Sequence, residues 1–191
     1  MRIAVYGGSF NPPHVGHAMV ASWVRWTGRA DAVWLVPVYR HAFENHHGKV
    51  LAPFEDRLAW CTAMAEELGA GVEALDVERH LPAPSFTVDT LSHLAAAHPG
   101  HDFRLVVGAD VIPQVDAWRG WDEIVSRFDP IIVGRQGHPR SGGPATVEFP
   151  AVSSSDIRAR LTSGASVDHL VTAAVRSLLP LHAARAAWCR P

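Results

Sequence analysis

The chain has 191 residues, of which 48% are apolar and 19% are charged, a composition typical of one soluble globular domain. Its 17 basic and 19 acidic residues give a net charge of −2. This balance excludes a diffuse electrostatic attraction to nucleic acid or to anionic lipid. Any binding of phosphate must therefore come from groups that the fold places locally.

Cysteine usage and hydrophobic segments limit the remaining classes. The two cysteines, Cys61 and Cys189, lie far apart in the chain and give neither a disulfide framework nor a metal-ligand spacing, and we expect one buried thiol and one thiol in the tail. Met1 and Arg2 lead directly into a strand-like run, which predicts no signal peptide. No apolar segment approaches the roughly 20 residues of a membrane helix. We therefore expect a cytoplasmic protein without a membrane partner.

Apolar runs alternate with helical patterns along the chain. Strands are predicted at 3–6, 32–36, 72–77, 103–107 and 130–133, with a short sixth strand at 145–149. Helices are predicted at 17–26, 53–68, 88–97, 111–127 with a break near Gly120, 153–161 and 167–179. The alternation predicts a single α/β domain over 1–191, doubly wound and Rossmann-like. We expect a mostly parallel sheet with helices on both faces and a small C-terminal helical part at 151–180.

Candidate ligand-binding segments all follow a predicted strand. In doubly wound sheets, ligands bind beyond the carboxyl ends of the strands. The segments in that position are 7–8, 38–52, 85, 108–110 and 134–135. We therefore expect them to meet at one edge of the sheet.

Residues 7–17 read Gly-Gly-Ser-Phe-Asn-Pro-Pro-His-Val-Gly-His. Glycine after a strand permits close approach of the backbone to a phosphate, and the following helix directs its positive end toward that phosphate. His14 and His17 are three residues apart at the helix start, where both imidazoles reach oxygens of one triphosphate. Two such histidines alone are more often a turn residue and a helix cap. The preceding strand, glycine pair and Asn-Pro-Pro turn favour a phosphate site.

Four separated segments resemble one known family. Residues 7–17 resemble GGxFxPxHxGH and residues 153–158 resemble ISSTxIR, which mark the HxGH nucleotidyltransferase superfamily. Residues 84–91 resemble PSYTxDTL, and residues 108–124 resemble GAD…W..W.EI, which mark its pyridine-nucleotide branch. The chain is thus similar to the bacterial nicotinate mononucleotide adenylyltransferases.

The resemblance implies a reaction of NAD biosynthesis. The phosphate of nicotinate mononucleotide attacks the α-phosphorus of ATP, the dinucleotide forms, and pyrophosphate leaves. The family uses Mg²⁺ that arrives with ATP and no set of protein metal ligands, which suits a reaction that depends on positioning and charge stabilisation. The implied partners are ATP and a mononucleotide, without nucleic acid. The sequence leaves the oligomeric state open, and a homo-oligomer is compatible with it.

The resemblance also implies roles for individual residues. His14, His17 and Arg158 are the implied catalytic residues. With them, the implied ATP-binding residues are Gly7, Gly8, Ser9, Phe10, Gly108, Asp110, Ser154 and Ser155. The implied acceptor-binding residues are Lys49, Ser85, Thr87, Trp118 and Arg135. Trp118 is expected to stack on the pyridine ring.

Most of these residues also have a purely structural interpretation. Asp110 and the serines at 154 and 155 are residue types that cap helices. Trp118 is one of seven tryptophans and suits ordinary core packing. Arg57 is a second candidate beside Lys49 for the incoming phosphate, although a lone cation is usually solvated or paired.

Residues 38–52 depart most from the family pattern, since only a basic character is kept there. The three histidines at 41, 46 and 47 lack the carboxylate or cysteine that would complete a zinc site, and we interpret this segment as a mobile basic lid. The departure leaves other acceptors open, namely nicotinamide mononucleotide, phosphopantetheine or a small metabolite, with CTP as an alternative donor. A non-catalytic nucleotide sensor and a metal-binding regulator are the less favoured functions.

Overall fold

The computed structural model describes residues 1–40, 50–136 and 147–180, apart from the side chain of Arg135. Its strands are β1 Arg2–Gly8, β2 Ala32–Pro37, β3 Val72–Ala74, β4 Asp102–Gly108, β5 Ile131–Arg135 and β6 Glu148–Phe149. Its helices are α1 Val15–Trp26, α2 Phe54–Leu68, α3 Thr87–Ala97, α4 Trp121–Phe128, α5 Ser154–Ser163 and α6 Ala173–Leu178. Two short 3₁₀ turns lie at Val77–His80 and Ile112–Ala117.

The six strands form one sheet in the order β3-β2-β1-β4-β5-β6, and every neighbouring pair is parallel. This confirms the predicted doubly wound α/β architecture. The order of connection reverses between β1 and β4, so a crevice opens beyond their carboxyl ends. The fold therefore places the segments after Gly8 and after Gly108 beside each other.

The core has one apolar layer on each face of the sheet. In β1, Ala4 belongs to one layer while Ile3 and Val5 belong to the other, because successive side chains of a strand point to opposite faces. Helices α1, α2, α5 and α6 contribute to the layer of Ala4, and α3 and α4 contribute to the layer of Ile3. Covering on both faces explains why the strands read as continuous apolar runs.

Three predicted elements are shorter in the structure. The sixth strand was predicted at 145–149 and, within the described residues from 147 onward, forms only Glu148–Phe149. The third strand was predicted at 72–77 but ends at Ala74, and the backbone of Asp76 then accepts a hydrogen bond from Arg79 N at 2.9 Å within a 3₁₀ turn. The last helix was predicted from residue 167 but begins at Ala173. The carbonyl of Leu170 instead accepts a hydrogen bond from Val15 N, at the start of α1, at 2.9 Å. The break predicted near Gly120 is confirmed, with a φ of 70° at that glycine.

Glu67 of α2 caps the start of α6. Its two carboxylate oxygens accept hydrogen bonds from the backbone amides of Ala173 at 3.3 Å and Ala174 at 2.8 Å. These hydrogen bonds, first the one from Ala174, lower the pKa of the Glu67 carboxyl. Because the folded-state pKa is lowered, the ionised carboxylate stabilises the fold at pH values above the unfolded-state pKa. This stabilisation is lost as the pH falls through the folded-state pKa.

We expect Glu67→Gln to lower the free energy of unfolding by about 0.5 kcal/mol at about pH 7, a value reduced for the exposure of this surface group. The difference from wild type should shrink progressively as the pH falls from the unfolded-state pKa of glutamate through the lower folded-state pKa. Denaturant titrations over a series of pH values measure it. Glu66→Gln, an exposed change on the same helix, is the matched control, and an equal loss there would contradict the capping role.

The cysteine thiol at position 61 lies in the core of the fold. Cys61 is fully buried, and burial raises the pKa of its thiol far above the ordinary range, so the predicted buried thiol is confirmed. Cys189 lies outside the described residues. Among the described helices, none has both the length and the apolar character that crossing a bilayer requires.

Candidate active site

A cavity of about 390 Å³ opens at the carboxyl ends of β1 and β4, a size typical of small-molecule sites. One wall comes from the residues between β1 and α1. The opposite wall comes from the start of α3 and the segment between β4 and α4. Side chains and backbone that line it include Gly7, Gly8, Ser9, His14, His17, Glu78, Ser85, Phe86, Thr87, Gly108, Asp110, Trp118 and Arg119.

The turn at residues 8–14 is held by hydrogen-bond donors from α5. Arg158, which is 7% exposed, donates to the carbonyl of Asn11 at 2.9 Å and to Ser155 Oγ at 3.1 Å. Ser154 Oγ donates to the carbonyl of Pro12 at 2.9 Å. The helix cap is made by Ser153, whose hydroxyl accepts from the amide of residue 156. The two predicted serines therefore brace the turn and do not act as the cap.

Arg57 holds the same turn from α2. Its guanidinium is 1% exposed and donates to the carbonyl of Ser9 at 3.0 Å and to that of Ala52 at 3.0 Å. The amide of Asn11 bridges to the same segment, since its Oδ1 accepts from Ala52 N at 2.9 Å. In this structure the Arg57 guanidinium supports the turn through these contacts, and its role at the incoming phosphate stays a prediction. Two buried guanidiniums nevertheless place positive charge near the site.

Phe10 has a backbone conformation that side chains rarely adopt, with a φ of 45°. Such a conformation costs about 1–3 kcal/mol and persists where the surroundings fix it. The ring is 1% exposed and lies 5.7 Å from the ring of Tyr6 and 4.9 Å from that of His17, centroid to centroid. Phe10 therefore shapes the turn from beneath and positions His17.

The two histidines meet at the start of α1. Their ring centroids are 3.8 Å apart with an angle of 34° between the planes. The backbone N–H of His14 donates to Nδ1 of His17 at 3.1 Å, so Nδ1 is unprotonated and the ring proton of neutral His17 lies on Nε2. His17 can thus donate from Nε2 to an oxygen in the cavity.

Gly16 between the histidines is required for this arrangement. A Cβ there would lie 3.0 Å from Cε1 and Nδ1 of the His14 ring, closer than ordinary packing tolerates. A similar constraint acts after β4, where a side chain on Gly108 would collide with the carboxylate of Asp110. Val111 occupies the cap position of the next turn, so Asp110 is not its cap.

The opposite wall combines hydroxyls with aromatic rings. Ser85 is 8% exposed, and Thr87 begins α3. Trp118 is partly buried, and its ring meets that of Trp121 edge to face at 5.8 Å. Trp118 both packs against the core and lines the cavity. The wall therefore offers a flat ring beside two hydroxyl side chains.

Glu78 joins three segments at the rim of this wall. The side chain is 8% exposed; Oε2 accepts from the backbone N–H of Tyr39 at 3.0 Å, and Oε1 accepts from Thr90 Oγ1 at 3.3 Å. Burial raises the pKa of the Glu78 carboxyl, and the hydrogen bonds from Tyr39 and Thr90 oppose that rise. Glu78 thus connects the end of β2 to the hydroxyl-bearing wall.

Comparison with known proteins gives the family. The cytidylyltransferase-like family model matches residues 5–160. A protein of Anaeromyxobacter sp. (strain K), named "Probable nicotinate-nucleotide adenylyltransferase", is 47% identical over 173 residues, which cover 89% of each chain. The chain belongs to the nicotinate-nucleotide adenylyltransferase family. A protein of the same name from Myxococcus xanthus is 36% identical over 91% of this chain and 88% of that one.

Solved structures agree on the fold of this nicotinate-nucleotide adenylyltransferase family member. The chain is similar to Plasmodium falciparum nicotinic acid mononucleotide adenylyltransferase complexed with NaAD, with a TM-score of 0.73, 21% identity and coverage of 93% of both chains. At this identity the likeness shows the fold alone. The family membership identifies the chain as a nucleotidyltransferase and so confirms the enzyme class predicted from the motifs.

The structure brings most predicted site residues of this adenylyltransferase together. Those that line the cavity are Gly7, Gly8, Ser9, His14, His17, Ser85, Thr87, Gly108, Asp110 and Trp118. Phe10, Ser154, Ser155 and Arg158 are absent from that lining and support the turn. Lys49 lies outside the described residues, as does the side chain of Arg135, whose backbone ends β5. Their binding roles stay predictions.

Sequence reasoning missed four residues of the site. Gly16 and Asn11 stand within the first motif, so the motif itself could have indicated them. Glu78 and Arg119 carried no such signal, because a single charged residue in a short turn resembles any solvated one. Among the described residues, no group of three or more histidine, cysteine, aspartate or glutamate side chains is placed to hold a metal ion.

Proposed function

We infer that this protein transfers the adenylyl group of ATP to nicotinate mononucleotide in NAD biosynthesis. The observation that carries the proposal is the pairing of His14 and His17 beside the turn at 8–14, in the same cavity as Ser85, Thr87 and Trp118. One wall suits phosphate oxygens, and the other suits a flat ring with polar substituents.

The proposed reaction is a displacement at phosphorus. An oxygen of the mononucleotide phosphate attacks the α-phosphorus of ATP, the bond to the bridging oxygen of the β-phosphate breaks, and pyrophosphate leaves. His17 donates a hydrogen bond from Nε2 to the charge that develops on the phosphate oxygens, with His14 beside it. Asp110 accepts a hydrogen bond from a ribose hydroxyl, and Trp118 stacks on the pyridine ring.

Magnesium is part of this proposal as an ion carried by ATP. Asp110 and Glu78 are the carboxylates among the described residues that line the cavity, and this fits an ion held chiefly by phosphates and water. When bound, Mg²⁺ supplies charge neutralisation for the triphosphate. The proposed location is the cytoplasm, where both nucleotide substrates occur.

A substrate panel tests the proposal. Pyrophosphate release is measured with ATP or CTP against nicotinate mononucleotide, nicotinamide mononucleotide and phosphopantetheine. We expect the highest kcat/KM with ATP and nicotinate mononucleotide. Higher activity with another pair would assign a different acceptor or donor to the enzyme. No pyrophosphate release with any pair would favour a nucleotide sensor on this scaffold.

A further inference from the structure

Arg119 is the only lysine or arginine among the described residues that line the cavity. It directly follows Trp118, between the 3₁₀ turn Ile112–Ala117 and α4. The described carboxylates of the lining, Glu78 and Asp110, are negative when ionised. Among the described lysine, arginine, aspartate and glutamate side chains that line the cavity, Arg119 alone attracts a negatively charged group of a substrate.

The guanidinium of Arg119 lies against the hydroxyl-bearing wall. Its Cζ is 4.5 Å from the centroid of the Phe86 ring, and Phe86 stands between Ser85 and Thr87. One guanidinium nitrogen donates to Asp89 Oδ1 at 2.7 Å. The contact with the Phe86 ring and the ion pair with Asp89 hold the guanidinium beside this wall.

The ion pair with Asp89 leaves Arg119 able to bind a ligand. The side chains are 56% and 40% exposed, and such surface pairs are weak. The pair uses one of the five N–H donors of the guanidinium. A substrate carboxylate can therefore be bound through two parallel N–H donors, which is the geometry that arginine favours.

We propose that Arg119 is a specificity-determining residue that favours a pyridine mononucleotide with a ring carboxylate over one with a carboxamide. The inference rests on the proposed function, in which the adjacent Trp118 stacks on the pyridine ring. In that function the acceptor phosphate reacts beside His14 and His17, and the ring substituent lies beside Trp118, which Arg119 follows in the chain. A neutral carboxamide makes weaker hydrogen bonds to a guanidinium than a carboxylate does.

The experiment compares kcat/KM for nicotinate mononucleotide and nicotinamide mononucleotide in wild type and Arg119→Gln. We expect the variant to lose about tenfold with the acid and less than about twofold with the amide, as the loss of one charge-assisted contact predicts. Nicotinamide mononucleotide is also measured as a competitive inhibitor, so that slow turnover still gives an affinity. Arg119→Lys, which keeps the charge without the planar fork, should recover part of the acid preference.

Two further variants locate the effect. Arg127→Gln is the matched control, because Arg127 is a partly exposed arginine of α4, paired with Glu123, that does not line the cavity; it should leave both acceptors unchanged. Trp118→Ala should raise KM for both acceptors more than KM for ATP, because it removes the stacking surface common to both rings.

The outcomes separate the inference from the proposed function. Equal losses with both acceptors in Arg119→Gln would overturn the inference and assign Arg119 to the acceptor phosphate. Unchanged kinetics would overturn it too. A wild-type protein that uses neither mononucleotide would overturn the proposed function, and the inference would fall with it.

Discussion

Replacing His17 with alanine is expected to lower kcat by about two to three orders of magnitude, the usual effect of removing one donor that stabilises transition-state charge. The structure places the donating proton on Nε2, because Nδ1 already accepts from the backbone of His14. The KM for ATP should change much less than kcat, since the interaction strengthens as charge develops. Steady-state rates of pyrophosphate release measure both.

The controls for His17 distinguish chemistry from folding. Loss of the bond to the His14 amide should cost only about 1 kcal/mol of stability, so the variant should remain folded at assay temperature. His93→Ala, an exposed histidine change on α3, should retain full activity. A turnover number of His17→Ala within a few-fold of wild type would remove this residue from the catalytic role.

Replacing Arg158 with methionine is expected to lower the free energy of unfolding by about 2–3 kcal/mol, because the buried carbonyl of Asn11 loses its charged donor. Methionine retains much of the side-chain length, so the loss reports hydrogen bonding more than packing. Denaturant titration measures it. The turn at 8–14 should also loosen, and kcat should fall by at least about tenfold because catalytic geometry depends on small displacements.

Arg160→Met provides the comparison for Arg158, since Arg160 is exposed on the same helix and should tolerate the change. A stability loss equal to that of Arg160→Met would contradict the bracing role. The KM for ATP, compared between Arg158→Met and Arg158→Lys, tests the contact with the β- and γ-phosphates that the family resemblance implies. If Arg158→Lys has the wild-type KM for ATP while its free energy of unfolding stays low, the result would support a direct phosphate contact.

The sequence predicted the elements whose signals are local. Continuous apolar runs bounded by glycine or proline predicted β1, β2 and β4, and the motif at 7–17 predicted the histidine pair. The end of β3 and the late start of α6 depend on long-range contacts, such as that of Glu67 with the amides of Ala173 and Ala174. Local periodicity does not carry that information.

The same distinction explains the site. The motifs predicted which residues gather around the cavity, because a phosphate site needs glycine and histidine at fixed spacing. They did not distinguish a residue that lines the cavity from one that supports the turn. Arg57 and Arg158 are both buried donors to backbone carbonyls of the turn, and only the folded chain shows these contacts.

The most direct measurement follows the label from ATP that is radiolabelled on its α-phosphorus, in the presence of nicotinate mononucleotide. Adenylyl transfer predicts that the label appears in the dinucleotide, in equal amount to unlabelled pyrophosphate. Label found in pyrophosphate, or release of pyrophosphate without a labelled dinucleotide, would contradict attack by the mononucleotide at the α-phosphorus.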